Sequence, residues 1–262
     1  MKSFLEHSKW IGKKIYYYEE IDSTNLEAKR LAEEGAGHGT IVYAGVQSAG
    51  KGRRGRVWES RKGDSLLMSA ILYPKLSPEK ISMLTLVQAL AVRRAIYRLA
   101  GVETLIKWPN DLVIGGKKLC GILTELVLEG RERNFVIIGT GINVKQTEFS
   151  RELQNMATSI FRENGKIKIE IPQLLEEICM EFEAYYDSFM KTEDLSRLQK
   201  EYNTYLVNKE RQVRVLEPGN EYTGKALGIN LLGELLVEAE TKEIKRVFAG
   251  EVSVRGVYGY VQ

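Results

Sequence analysis

Four cations stand among three glycines in the seven residues Gly50-Lys51-Gly52-Arg53-Arg54-Gly55-Arg56. The glycines let a backbone approach a ligand closely. The cations repel one another in an empty loop and gain from clamping a phosphate or carboxylate. The pattern is not GxxxxGK[ST], so it is no Walker loop. Trp58 follows, and an aromatic beside cations suits an adenine ring; a solvated basic turn or an RNA-binding patch is the alternative. A second group is Lys107-Trp108-Pro109-Asn110-Asp111. It presents Asn110 and Asp111 at a strand end, with Asp111 able to hold Mg²⁺ and Lys107 to meet a phosphate; taken alone, these residues favour an ordinary turn over a core tryptophan. Lys118 enters an apolar strand three residues before Gly121, either reaching a pocket or snorkelling at an edge. Gly139-Thr140-Gly141-Ile142-Asn143 ends another strand, where Asn143 could bridge a metal or phosphate, or the glycines could mark a bulge. Cys120, beside Lys118, reads as a small buried side chain in preference to a nucleophile.

These groups need strands and helices to hold them. Strands are expected at 14–19, 40–46, 65–73, 105–108, 112–114, 118–128 and 134–144, with a GG hairpin turn before Lys118. Helices are expected after an Asp22 or Ser23 cap, from Pro78 to about Ala100, and over 172–190 and 193–206. From Arg211 the pattern changes to short strands, a small all-β module. The chain therefore divides near Val207–Lys209 into residues 1–208 and 209–262.

The balance of 38 Lys and Arg against 35 Asp and Glu gives +3 over 262 residues. Between Gly45 and Asp64 six cations face two anions, so the excess is local, pointing to one anion-handling loop and away from DNA binding. No window approaches a membrane span, and no secretory h-region opens the chain. The two cysteines, Cys120 and Cys179, are far apart, which fits a reducing cytoplasm.

Taken together and in order, Ser23-Thr24-Asn25, Gln47, the Gly50–Arg56 loop, Lys107–Asp111, Lys118-Leu119-Cys120-Gly121-Ile122, Gly141-Ile142-Asn143-Val144 and Gly250-Glu251-Val252-Ser253 resemble the biotin protein ligase family. The resemblance runs from about Tyr16 to the end. It implies an α+β fold: a mixed β-sheet catalytic domain with flanking helices, plus a C-terminal SH3-like β-barrel. It implies ATP-dependent formation of biotinyl-5'-AMP and transfer of biotin to a lysine of a biotin carboxyl carrier protein, and it admits a homodimer. By the resemblance Ser23, Thr24, Asn25, Gln47 and Gly121 hold biotin, and Lys51, Gly52 and Arg53 lie over it. Arg54, Arg56, Trp58, Asn110, Asp111, Gly141 and Asn143 serve the nucleotide, with Asp111 and Asn143 near Mg²⁺. Lys118, Arg53, Lys107 and Asp111 are the catalytic candidates. Lys51 stands where the family more often has arginine. The pattern begins within about 15 residues of the start, the arrangement of members without an N-terminal DNA-binding domain. A lipoate or octanoate ligase or transferase of related fold is the nearest rival.

Overall fold

The computed structural model describes residues 5–129, 133–165, 169–217, 219, 221–249, 253–256 and 260–261. The first part is a seven-stranded sheet in the order β1-β2-β3-β7-β6-β5-β4. Its strands are β1 (Ile15–Tyr18), β2 (Thr40–Ala44), β3 (Ser65–Leu72), β4 (Leu105–Lys107), β5 (Asp111–Ile114), β6 (Lys117–Glu129) and β7 (Arg133–Asn143). β1 runs parallel to β2 and the other neighbours are antiparallel, so the sheet is mixed.

Both faces of the central strands are covered, which is why β3 reads as a nearly unbroken apolar run. β7 shows the period of two: Val136 and Ile138 face the core under the long helices α2 (Met83–Ala100) and α4 (Ile171–Phe189), while Phe135 and Ile137 face α1 (Thr24–Glu33). Gly101 ends α2 in the left-handed conformation.

Two helices differ from the sequence reading. Pro78 opens only a 3-10 turn (Pro78–Lys80), and α2 proper starts at Met83 after Ile81 turns into the core. The stretch 193–206 narrows to α5 (Gln199–Tyr205), because Glu193 has φ 53° and Asp194 Oδ1 accepts from the Ser196 N–H. A short helix α3 (Ile160–Glu163), capped by Ser159, has no counterpart in that reading.

The second part is an antiparallel five-stranded sheet in the order β11-β10-β9-β8-β12. It comprises β8 (Gln212–Leu216), β9 (Tyr222–Ile229), β10 (Leu235–Ala239), β11 (Ile244–Val247) and β12 (Ser253–Gly256). Its inward Val213, Val215, Ala226 and Val237 belong to the same buried cluster as the first sheet. Trp108 ties the two: its indole is wholly buried and donates to the Gly233 carbonyl at 3.0 Å, and its backbone N–H donates to Asn208 Oδ1 at 3.0 Å. Of the C-terminal Gly-Glu-Val-Ser motif, residues 250–252 lie outside the described residues; Ser253 begins β12.

Candidate active site

A narrow polar pocket of about 50 Å³ opens where β3, β6 and β7 lie side by side under the start of α1. Ser23 caps α1 without spending its side chain on a capping bond. The Thr24 N–H and hydroxyl both donate to Gln47 Oε1, at 2.7 and 2.9 Å. The Ser69 hydroxyl stands 2.8 Å from Thr24 Oγ1 and 2.6 Å from Asn25 Oδ1, and Asn25 Nδ2 donates to Glu125 Oε2 at 2.6 Å. A chain of donors and acceptors thus fixes three polar side chains that are themselves buried, the arrangement needed to read a small polar ring.

The floor of this pocket is bare backbone. Gly121 and Gly141 face each other across β6 and β7, and the Trp58 indole lies on them. A Cβ on Gly141 would come within 2.6 Å of the indole, and one on Gly121 within 2.9 Å. Trp58 Nε1 is buried with no hydrogen-bond partner among the described residues. The sequence reading expected Trp58 to pack on adenine; here it lies on the glycine pair beside the polar pocket, its ring 5.5 Å from Lys118 Nζ.

The pocket opens into a cleft of about 1210 Å³ between the two sheets. Lys118, Arg53, Trp58 and Asn110 line both spaces. The arginine loop is a small hairpin: Lys51 bridges Val57, Trp58 N–H donates to Gly50 O at 2.9 Å, and the tip is a 3-10 turn with Arg54 at φ 57°. Arg53 turns inward, donating to Asn110 Oδ1 at 3.0 Å and to the Ala249 carbonyl at 2.7 Å. Neutral carbonyl oxygens thus already hold one of the four cations, while Lys51, Arg54 and Arg56 are exposed to solvent.

At the other wall Lys118 Nζ pairs with Asp111 Oδ1 at 2.7 Å. A bulge between Leu112 and Val113 in the β5–β6 ladder sets Lys118 opposite Val113, and the Lys118 peptide is pinned by Met156 O and Thr158 N. Burial pushes the Asp111 carboxyl up, but Lys118 and Lys107 outweigh it, and the group lies below the usual carboxylate range. Lys107 is only 5% exposed, and burial pulls its ammonium down to about 8 despite Asp111. Cys120 is fully buried, and burial raises its thiol, so it is no nucleophile.

Asp111 fits a magnesium ion poorly, because its oxygens serve Lys118 and the Tyr260 hydroxyl. Asn143 Nδ2 donates to Thr158 O at 3.0 Å, an arrangement that leaves Oδ1 as the atom with which Asn143 would meet a cation. Among the described residues no cluster of three carboxylate, His or Cys ligands forms.

All seventeen candidate residues line the large cleft, the polar pocket or both. Sequence reasoning missed Ser69, Glu125, Ala249 and Tyr260. A serine in the middle of β3 and a glutamate well inside β6 were visible signals, since polar groups inside apolar strands need a reason. Tyr260 gave none.

Residues 17–143 match the Biotin/lipoate A/B protein ligase family, and residues 210–255 match the Biotin protein ligase C terminal domain. The chain is 38% identical over 246 residues to the bifunctional ligase/repressor BirA of Bacillus spizizenii, covering 93% of this chain and 75% of that one. It is 29% identical to the biotin--[acetyl-CoA-carboxylase] ligase of Mycobacterium tuberculosis, over 88% of this chain and 85% of that one. Its fold superimposes on a biotin protein ligase from Aquifex aeolicus in complex with biotin and ATP with a TM-score of 0.80 and 28% identity, covering 93% and 99% of the two chains.

Proposed function

The chain belongs to the biotin protein ligase family, and from that premise we propose how its two connected spaces divide the work of an ATP-dependent biotin–protein ligase. The polar pocket takes the biotin ring and the cleft takes ATP. The observation that carries this division is Lys118, whose side chain lines both spaces at their junction. A biotin carboxylate and an α-phosphate would meet there.

Bringing two anions together makes the first barrier largely electrostatic. A biotin carboxylate oxygen attacks the α-phosphorus, and the α–β bridging P–O bond breaks to release pyrophosphate. Lys118 and Lys107 supply fixed positive charge at that point, and Arg53 reaches it from the opposite wall. Magnesium enters with the nucleotide as part of the substrate; Asp111 is engaged by Lys118 and Tyr260, so of the two expected ligands Asn143 would meet the ion, through Oδ1.

In the second step the ε-amine of a carrier lysine attacks the mixed anhydride carbonyl, and AMP leaves with the electron pair of the C–O bond. Asp111 is the candidate to orient or accept the amine's proton. Two neighbouring ammonium groups hold it ionised and make it a weak base, which favours orienting. Residues 1–208 form the catalytic domain and 209–262 a C-terminal domain that closes the cleft. The acceptor is the carrier domain of a biotin-dependent carboxylase, and the enzyme works in the cytoplasm without binding operator DNA. No helix among the described residues is long and apolar enough to cross a membrane. The lipoate-transferase alternative loses its acyl-enzyme route, because the cysteine at the site is sealed in the core. Biotin-dependent exchange between ATP and labelled pyrophosphate tests the reading. Exchange driven by lipoate or octanoate and not by biotin would overturn it.

A further inference from the structure

Tyr260 comes from the far end of the chain, yet it stands inside the cleft against β5. Its hydroxyl donates to Asp111 Oδ2, the oxygen that Lys118 does not hold. Its ring lies under the Lys107 ammonium, 4.3 Å from Nζ. The next residue, Val261, is buried in a small apolar cluster with Val113 of β5 and Val207, which anchors the segment. One aromatic side chain therefore touches both charged partners of the Lys118 group, and does so with its polar end on the anion and its π-face on the cation. That is the complementary match for each.

We propose that Tyr260 is a positioning residue: it holds the Asp111 carboxylate and the Lys107 ammonium in place, and through Asp111 it aims Lys118 at the junction of pocket and cleft. The inference rests on the reading of Lys118 given above. Asp111 is a short, buried carboxylate whose rotation about its terminal bond is broad unless both oxygens are held. Lys118 holds one and Tyr260 the other. Without the hydroxyl, Asp111 is free to turn, and the ammonium it carries leaves the line between the two reacting anions. Tyr260 touches no reacting atom in this scheme; its effect falls on the rate of adenylation and leaves substrate binding nearly unchanged.

The test is Tyr260→Phe, which keeps the ring and its packing and removes only the hydroxyl. Single-turnover adenylation is measured beside the KM values for biotin and ATP and a melting curve. The expected result is an adenylation rate lower by about tenfold, the scale of losing one hydrogen bond to a charged group, with both KM values within about twofold of wild type and an unchanged melting point. In the double variant with Asp111→Ala, Tyr260→Phe should cost nothing further, because the acceptor of its hydroxyl is gone. If Asp111→Ala does not fold, Lys118→Ala serves as the second partner with the same expectation. A wild-type rate in Tyr260→Phe, or a loss that is fully additive in the double variant, overturns the proposal. A wild-type enzyme with no biotin-dependent pyrophosphate exchange would instead overturn the assignment of the pocket on which it rests.

Discussion

Gly139→Ala is a one-carbon change whose consequences the structure fixes closely. A Cβ at Gly139 would sit 2.0 Å from Asn25 Oδ1, 2.8 Å from its Cγ and 3.0 Å from its Nδ2. No methyl fits there, so the Asn25 amide must swing away. Asn25 is buried and held by Ser69 Oγ at 2.6 Å and by Glu125 Oε2 at 2.6 Å, and both contacts are lost in the swing. A neutral hydrogen bond contributes about 1 kcal/mol and one to a charged group about 1.5–3 kcal/mol, so the fold should lose roughly 2–4 kcal/mol. For a chain of this size that is a fall in melting point of about 5–15 °C. Biotin, if Asn25 reads its ring, loses one polar contact as well and should bind about 10–100-fold more weakly. Titration calorimetry with biotin and a thermal melt measure the two effects on one sample. Gly141→Ala is the control. Its Cβ meets the Trp58 indole at 2.6 Å, but that ring is only partly buried and its N–H has no partner among the described residues, so moving it breaks no hydrogen bond and should cost the fold less. Wild-type affinity and stability in Gly139→Ala would show that Asn25 is not locked as described. A lower melting point with unchanged affinity would remove Asn25 from the ligand site.

Lys118→Ala should slow adenylation by roughly 10²–10³-fold and recover part of its activity when supplied with pre-made biotinyl-adenylate; single-turnover rates of the two steps check this. Because burial holds the Lys107 ammonium at about 8, below its ordinary value, the charge is present below that pH and lost above it. The kcat/KM for ATP should therefore fall as pH rises through about 8, and Lys107→Arg should lack that limb. Arg53→Gly removes a clamp that spans Asn110 and Ala249, and should raise the release of free biotinyl-adenylate in the absence of carrier protein. Trp108→Phe leaves the Gly233 carbonyl without its donor and should cost about 1–3 kcal/mol in a denaturant melt, without altering the KM for biotin.

The strands were legible because their apolar periods are strong: β3 as a nearly unbroken run and β7 with its two-faced alternation. Helix ends were less so, since Pro78 marks the start of a turn as well as of a helix, and the break at Glu193 depends on one local side-chain bond. Lys107, Asp111 and Lys118 were found from their places at strand ends, where charge in an apolar context has few structural explanations. The partners that tune them were not. Tyr260 is 149 residues from Asp111, and the Ala249 carbonyl is 196 residues from Arg53. Nothing in a local pattern reports a contact that only tertiary packing creates. The arginine loop taught the same lesson from the other side: its residues implied unpaired charge, while folding supplies Arg53 with two carbonyl partners.

The facing glycines of β6 and β7 also give the protein an optical property. Trp58 rests on a surface of peptide bonds, with a lysine ammonium 5.5 Å from its ring. Its two fellow indoles are set elsewhere, Trp108 in the core and Trp10 against His38 and Tyr186. Whatever settles on the glycine pair changes the polarity and the charge around this one chromophore. Emission from Trp58, isolated by replacing Trp10 and Trp108 together, would register occupancy of the site without any added label.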